Sequence, residues 1–174
     1  MNNQTYTVRD ARPEEFSEIG ALMVNVYSNL TGFPSPEEQP KYYKMLANIG
    51  TLAERPKARL FIAVSDDGKI GGGVVYFGDM KYYGSGGTAT LEINAAGFRL
   101  LAVSRETRGQ GLGSLLTEFC IQTAKEEQQK QIVIHTTEAM KTAWGMYERM
   151  GFKRSEDLDF MQEKLPVFGF RLQL

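Results

Sequence analysis

The sequence predicts a mixed α/β domain in which helices cover a sheet. Three observations carry that expectation. Short apolar runs bounded by turn residues alternate with segments of helical apolar spacing, in the order β-α-α-β-β-β-α-β-α-β-β. The length of 174 residues suits one continuous core, so residues 1–174 are expected to form a single domain. No internal repeat or low-complexity segment divides the chain.

Tyr6 to Val8 gives a short first strand. Asp10-Ala11-Arg12-Pro13-Glu14-Glu15 then opens a helix, because proline in the first turn forfeits no helical amide bond and the two glutamates sit at the positive end of the helix dipole. Phe16, Ile19, Leu22, Met23 and Val26 follow at helical spacing, and Asn29-Leu30-Thr31-Gly32 ends the element. A second helix is expected to begin at Ser35-Pro36-Glu37-Glu38, with Ser35 as cap, and to run through Tyr42 and Leu46 to about Asn48.

Leu60 to Val64 and Ile70 to Phe77, joined by the turn residues Asp66-Asp67-Gly68-Lys69, read as an antiparallel hairpin. Gly71, Gly72 and Gly73 weaken the start of its second strand and let a ligand or another backbone come close. Between Gly78 and Gly97 the glycines and the adjacent Tyr82 and Tyr83 predict a mobile loop, either the rim of an acceptor pocket or a plain connection. Phe98 to Val103 is the next strand. Leu112, Leu115, Leu116, Phe119 and Thr123 mark a helix face, Ile132 to Ile134 a strand, and Ala139, Ala143, Met146, Tyr147 and Met150 another helix. Gly151 ends that helix in the left-handed cap position, and Phe152 can fold back over its last turn. Phe152 to Arg154 and Phe160 to Leu165 complete two more strands. The remaining Pro166 to Leu174 can add an edge strand, form a homodimer contact or pack on its own core.

Composition removes several functional classes. With 20 basic and 21 acidic residues the formal net charge is −1, without the concentrated positive face that nucleic-acid binding requires. Lys125 to Lys130, interrupted by Glu126 and Glu127, reads as a solvated helix end. One cysteine, Cys120, excludes an intramolecular disulfide, and one histidine, His135, is too little for a zinc site, so no metal is expected. No apolar stretch reaches the roughly 20 residues that span a membrane. The start MNNQTYTVRD lacks the features of a signal peptide, and a cytoplasmic location is expected.

The informative segment is Arg108-Gly109-Gln110-Gly111-Leu112-Gly113, between a strand and a helix. It is not a Walker loop, because Ser114 and Leu115 follow Gly113 where that loop needs its lysine. It is not a dinucleotide fingerprint either: the glycine spacing is GxGxG, and Ser104 to Arg108 separate it from the strand. What remains is a turn whose amides, with the following helix N-terminus, can surround a pyrophosphate, with Arg108 adding charge-assisted hydrogen bonds.

The run FRLLAVSRETRGQGLGSLLTEFC, from Phe98 to Cys120, resembles the acetyl-coenzyme A motif of the GCN5-related N-acetyltransferase (GNAT) superfamily. Ala143 to Phe152, AWGMYERMGF, is similar to that family's later helix with its alanine, tyrosine and terminal Gly-Phe. The resemblance implies the acyl-CoA N-acyltransferase fold, a mixed and mostly antiparallel central sheet flanked by helices, splayed between its fourth and fifth strands. It implies acetyl-CoA as donor substrate. Leu101 and Val103, with Ala102 between them, would then hold the pantetheine arm. Arg108, Gly109, Gln110, Gly111, Leu112, Gly113 and Ser114 would hold the pyrophosphate, and Ala143 would contribute from the later helix. Similar proteins often carry asparagine three residues before that alanine; this chain has Met140.

Acyl transfer to an amine needs a neutral nucleophile, a donor for the developing oxyanion and an acid for the departing sulfur. The resemblance points to Tyr147 as that acid. Glu92 is the expected base, since in Leu91-Glu92-Ile93-Asn94 strand spacing would put Glu92 and Asn94 on one side just before the cofactor-facing strand, with an ordered water as the alternative. Cys120, inside a helix with no histidine nearby in sequence, reads as a buried structural residue, and Trp144 either flanks the cofactor or covers the sheet. Tyr27, Phe33, Tyr42, Tyr43, Tyr82 and Tyr83 are aromatic candidates for the amine side. The acceptor is expected to be a small-molecule amine. A peptide or protein amine, or a noncatalytic acyl-CoA sensor using the same glycine turn, are the competing readings.

Overall fold

The computed structural model describes residues 4–174, so the leader reading of MNNQTYTVRD rests partly on residues outside the described ones. Eight strands form one sheet: β1 (Tyr6–Asp10), β2 (Ala58–Ser65), β3 (Ile70–Phe77), β4 (Ala95–Val103), β5 (Gln131–Thr136), β6 (Lys153–Arg154), β7 (Phe160–Gln162) and β8 (Leu165–Gln173). Their spatial order is β1-β2-β3-β4-β5-β8-β6, with β7 also on β8. Only β4 and β5 run parallel; the other pairings are antiparallel.

Period-two alternation gives each face of the sheet its own core. From β2, Leu60 and Ile62 point to the face covered by α1 (Phe16–Ser28) and α2 (Pro40–Ala47), where they meet Ile19, Met23, Leu46 and Val75. Phe61 and Ala63 point to the other face, under α3 (Leu112–Glu126) and α4 (Lys141–Arg149), with Tyr76, Leu116, Cys120, Ile134 and Phe170. Cys120 is fully buried there, and burial pushes its thiol pKa far up, which keeps it inert. Trp144 packs against Phe168 and Phe170 at 5.3 and 5.0 Å between centroids, so it covers the sheet.

The feature that positions the site is a bulge in β4. Ala102 faces Gly73 and Arg99 faces Val75, so Leu100 and Leu101 together oppose the single residue Val74, and Leu100 adopts φ 61°. Gly72 permits this close approach; a Cβ there would stand 2.7 Å from the Ala102 carbonyl oxygen. Bent by the bulge, β4 pairs with β5 only through Ala95–Gly97 opposite Gln131–Val133. Beyond Gly97 the two strands diverge, and the β5-facing edge of β4 has no strand partner among the described residues.

Four expectations are corrected. The second helix begins at Pro40, not near Ser35. Ser35 and Glu38 do form the reciprocal capping bonds, Ser35 N to Glu38 Oε1 at 3.1 Å and Glu38 N to Ser35 Oγ at 3.3 Å, but they close an isolated turn. Pro40 has no amide to continue that turn and forces Gln39 out of helical geometry, at φ −133° and ψ 61°. The segment from Gly78 to Gly97 is anchored rather than loose: it makes two 3-10 turns, Met80–Tyr82 and Ala89–Leu91, buries Met80, Tyr83 and Ala89, and its last residues already belong to β4. Residues 160–165 are two strands, because Glu163 at φ 55° turns the chain between β7 and β8. The C-terminal segment is not an edge strand: β8 pairs with β5 on one side and with β6 and β7 on the other.

Candidate active site

Where β4 and β5 part, a cleft of about 640 Å³ passes through the sheet from one helical layer to the other. Val26, Tyr27, Leu30, Phe33 and Tyr42 line it from α1, α2 and the loop between them; Leu112, Gly113, Ser114, Ala143, Met146 and Tyr147 line it from α3 and α4. The expected phosphate turn forms one mouth. Gly109 and Gly111 adopt φ 80° and 78°, conformations costly for any side chain, and among the described residues no atom beyond their chain neighbours lies within 4 Å of where their Cβ atoms would be. Gly111 is the N-cap of α3, whose first internal bond runs from the Leu115 amide to the Gly111 carbonyl at 3.0 Å. Among the described residues no backbone acceptor is bonded to the consecutive amides from Gly109 to Ser114, and the positive end of a 15-residue helix adds to them. That donor set fits a pyrophosphate.

Leu101 and Val103 line the cleft from the unpaired edge of β4. Tyr27 on α1 donates its hydroxyl to the Leu101 carbonyl at 2.9 Å, fixing the bulge to the helix. Two expected cofactor residues are not on the cleft wall: Ala102 turns its side chain into the α1–α2 core, and Gln110 points to solvent. Conversely, Thr136 and Thr137 line the cleft with buried hydroxyls that find no partner among the described residues. A buried hydroxyl left unpaired is costly, so both fit the polar arm of a ligand in the splay. Sequence reasoning passed over them, although two threonines after an apolar strand were a visible signal.

Tyr147 is 5% exposed and packs between Phe98 and Phe152, at centroid distances of 5.8 and 5.6 Å. Among the described residues its hydroxyl donates to no protein group, and burial raises its pKa well above the usual phenol value. The group is therefore a protonated, uncommitted donor on the cleft wall at neutral pH.

Glu92 lies elsewhere. Residues 92–94 form no strand, Asn94 takes φ 52°, and the Glu92 carboxylate pairs with Arg171 of β8 and accepts from Gln131 Nε2 at 3.1 Å. It does not line the cleft, and the spacing argument that paired it with Asn94 fails because no strand exists there. Replacing Glu92 by glutamine is expected to cost about 1 kcal/mol of stability and a few degrees of Tm, with kcat nearly unchanged. A kcat loss of about 100-fold or more at constant Tm would instead make it a base.

On the α1–α2 side, Tyr27, Phe33 and Tyr42 form an aromatic wall with centroids 5.5 to 6.2 Å apart. Tyr83 joins the rim, whereas Tyr43 and Tyr82 stay off it. His135 Nε2 meets the Leu158 carbonyl oxygen at 2.9 Å and must donate to it, so Nδ1 accepts from the Tyr83 hydroxyl at 3.1 Å. Burial lowers the His135 pKa, which keeps this ring neutral and committed to two structural bonds.

Residues 23–152 match the model of the acetyltransferase (GNAT) family. The chain belongs to the GNAT acetyltransferase family. Among relatives of this GNAT chain, human N-acetyltransferase 8B is 33% identical over 55 residues, 32% of this chain and 24% of that protein. N-alpha-acetyltransferase 30 of Schizosaccharomyces pombe is 36% identical over 59 residues, 34% of this chain and 39% of that protein. The matched segments thus span well under half of either relative. The yncA protein of Salmonella typhimurium, solved with its cofactor acetyl-CoA, superposes at a TM-score of 0.68 over 98% of this GNAT chain and 94% of its own, at 15% identity. That likeness is one of fold, and it extends over the splayed sheet described above.

Proposed function

We propose that this GNAT chain transfers the acetyl group of acetyl-CoA to a primary amine of a small molecule. The observation that carries the reading is the cleft itself: one mouth is a row of unpaired amides, the other an aromatic wall, and the uncommitted Tyr147 hydroxyl stands between them. Membership of an acetyltransferase family, N-acetyltransferase relatives and a fold neighbour solved with acetyl-CoA support the same donor.

Acetyl-CoA supplies an activated acyl group as thioester. Amides 109–114 and the Arg108 side chain would hold its pyrophosphate, while the free edge of β4 and the Thr136 and Thr137 hydroxyls would hold the arm that threads the splay. The amine enters from the aromatic side, where Tyr27, Phe33 and Tyr42 exclude bulk water and fix its approach. As the carbon–nitrogen bond forms and the carbon–sulfur bond breaks, Tyr147 gives its proton to sulfur. The proton lost by nitrogen restores the tyrosine. No Asp or Glu lines the cleft among the described residues, so cleft water rather than a carboxylate takes the proton of the incoming ammonium group. Incubation with acetyl-CoA and a panel of amines, following free thiol and acetylated products, tests the reading. Transfer confined to peptide N-termini would replace the small-molecule acceptor, and tight acetyl-CoA binding without any transfer would make the chain a sensor.

A further inference from the structure

The cleft wall carries four cationic side chains, Arg99, Arg108, Lys141 and Arg149, and no carboxylate among the described residues. Three of them come from the α3–α4 face of the sheet: Arg108 leads the glycine turn into α3, and Lys141 and Arg149 lie on α4. Arg99 does not. It sits one residue before the β4 bulge and reaches the α1–α2 face, where its guanidinium lies 5.6 Å from the Tyr83 ring centroid.

Its hydrogen bonding is incomplete. Among half-buried arginines, Arg9, Arg59 and Arg171 each hold a carboxylate. Among the described residues Arg99 has one protein acceptor, the Tyr83 carbonyl, at 2.9 Å from Nη1, which leaves its other N–H groups without a partner there. A second cation stands behind it: Arg55 Nη1 bonds the Tyr82 carbonyl at 2.9 Å, and both guanidinium groups converge on Gly84, where a Cβ would come within 2.6 Å of Arg55 Nη1 and 3.4 Å of Arg99 Nη1. Two neighbouring guanidinium groups without a carboxylate form a site prepared for an anion. Burial raises the pKa values of Tyr27, Tyr42 and Tyr83 and lowers that of His135; the Arg99 charge opposes the first and adds to the second, so it is felt at all four rings.

We infer that the acceptor is an amine bearing a carboxylate, of the free amino-acid class with an apolar or aromatic side chain, whose carboxylate is bound by Arg99. This rests on the acetyl-transfer reading above and narrows its substrate. The carboxylate fits the planar guanidinium fork, and the side chain would lie against Tyr27, Phe33 and Tyr42. A cleft without acidic groups gives no partner to a polyamine or other polycation.

The test compares acceptors matched except at the anion: phenylalanine and leucine against phenethylamine and isoamylamine, with phenylalaninamide, a phenylalanine-initiated peptide and O-phosphoethanolamine as further arms. The expected result is a kcat/KM for the amino acids higher than for the amines lacking the carboxylate by about 30-fold, the scale of a charge-assisted hydrogen-bond pair. In Arg99→Met this ratio is expected to fall close to unity, and Arg99→Lys, which keeps the charge and loses the fork, to give an intermediate ratio. Equal or better transfer to phenethylamine, to the amide or to the peptide would overturn the inference while leaving acetyl transfer intact. Preference for the phosphate-bearing amine would overturn the carboxylate assignment. An unchanged ratio in a folded Arg99→Met protein would remove Arg99 from the site. No transfer to any arm, with acetyl-CoA bound, would overturn this inference and the acetyl-transfer reading together.

Discussion

Replacing Tyr147 with phenylalanine is expected to lower kcat by about 100-fold or more, while the KM for acetyl-CoA and the Tm stay close to wild type. The split follows from what the side chain does. Its ring fills space between Phe98 and Phe152, and phenylalanine preserves that packing. Its hydroxyl bonds no protein group among the described residues, so removing it leaves no buried partner there unpaired. On the proposed mechanism, what is lost is the proton delivered to sulfur. Because burial holds the phenol above its ordinary pKa, the acid form persists through the neutral and mildly alkaline range. Wild-type kcat is therefore expected to show no fall from tyrosine ionisation up to about pH 10. A Tyr147→Phe enzyme with unchanged kcat under conditions where chemistry limits the rate would assign the proton to another donor.

The second large effect is structural and comes from Gly20. On α1 it faces the end of α2 so closely that a Cβ would stand 2.2 Å from the Ala47 carbonyl oxygen and 2.8 Å from its carbon. Backbone cannot yield as a flexible side chain can. Gly20→Ala must push the two helices apart, at about 3 kcal/mol, which lowers Tm by roughly 10 °C in a chain of this size. The consequence for function is directional. Tyr27 lies on α1 and Tyr42 on α2, so the aromatic wall opens, whereas the glycine turn and α3 sit on the opposite face of the sheet. The acceptor KM is expected to rise more than that of acetyl-CoA. A Tm within about 2 °C of wild type would mean that α2 moves freely at that contact.

Local chemistry made the donor half of the site legible in the sequence. A left-handed turn needs glycine, a helix start needs open amides, and both needs were written into residues 109–113. The order of elements along the chain and the helix faces followed from periodicity. What stayed hidden depends on residues distant in the chain or on backbone geometry without a marker residue. Glu92 is held by Arg171, 79 positions away, and its neighbourhood carries no trace of that pairing. The turn at Glu163 and the bulge at Leu100 place ordinary residues at positive φ, where neither glycine nor asparagine announces them. At Pro40 two local signals conflict: the Ser35–Glu38 capping pair is a correct signal for a turn, and the later proline stops that turn from continuing as a helix. Arg99 offered a signal of another kind: a lone charge inside the apolar run Phe98 to Val103 has to face something other than the core.

The most direct measurement is a stoichiometric one: purified protein, acetyl-CoA and a panel of amino acids and simple amines, with free thiol and acetylated product quantified together. Equal amounts of thiol and N-acetylated product, rising with time and nearly abolished in Tyr147→Phe, are the expected result. Acetyl-CoA bound at one site per chain with no amine acetylated, or no acetyl-CoA bound at all, would contradict a transferase built around the cleft between β4 and β5.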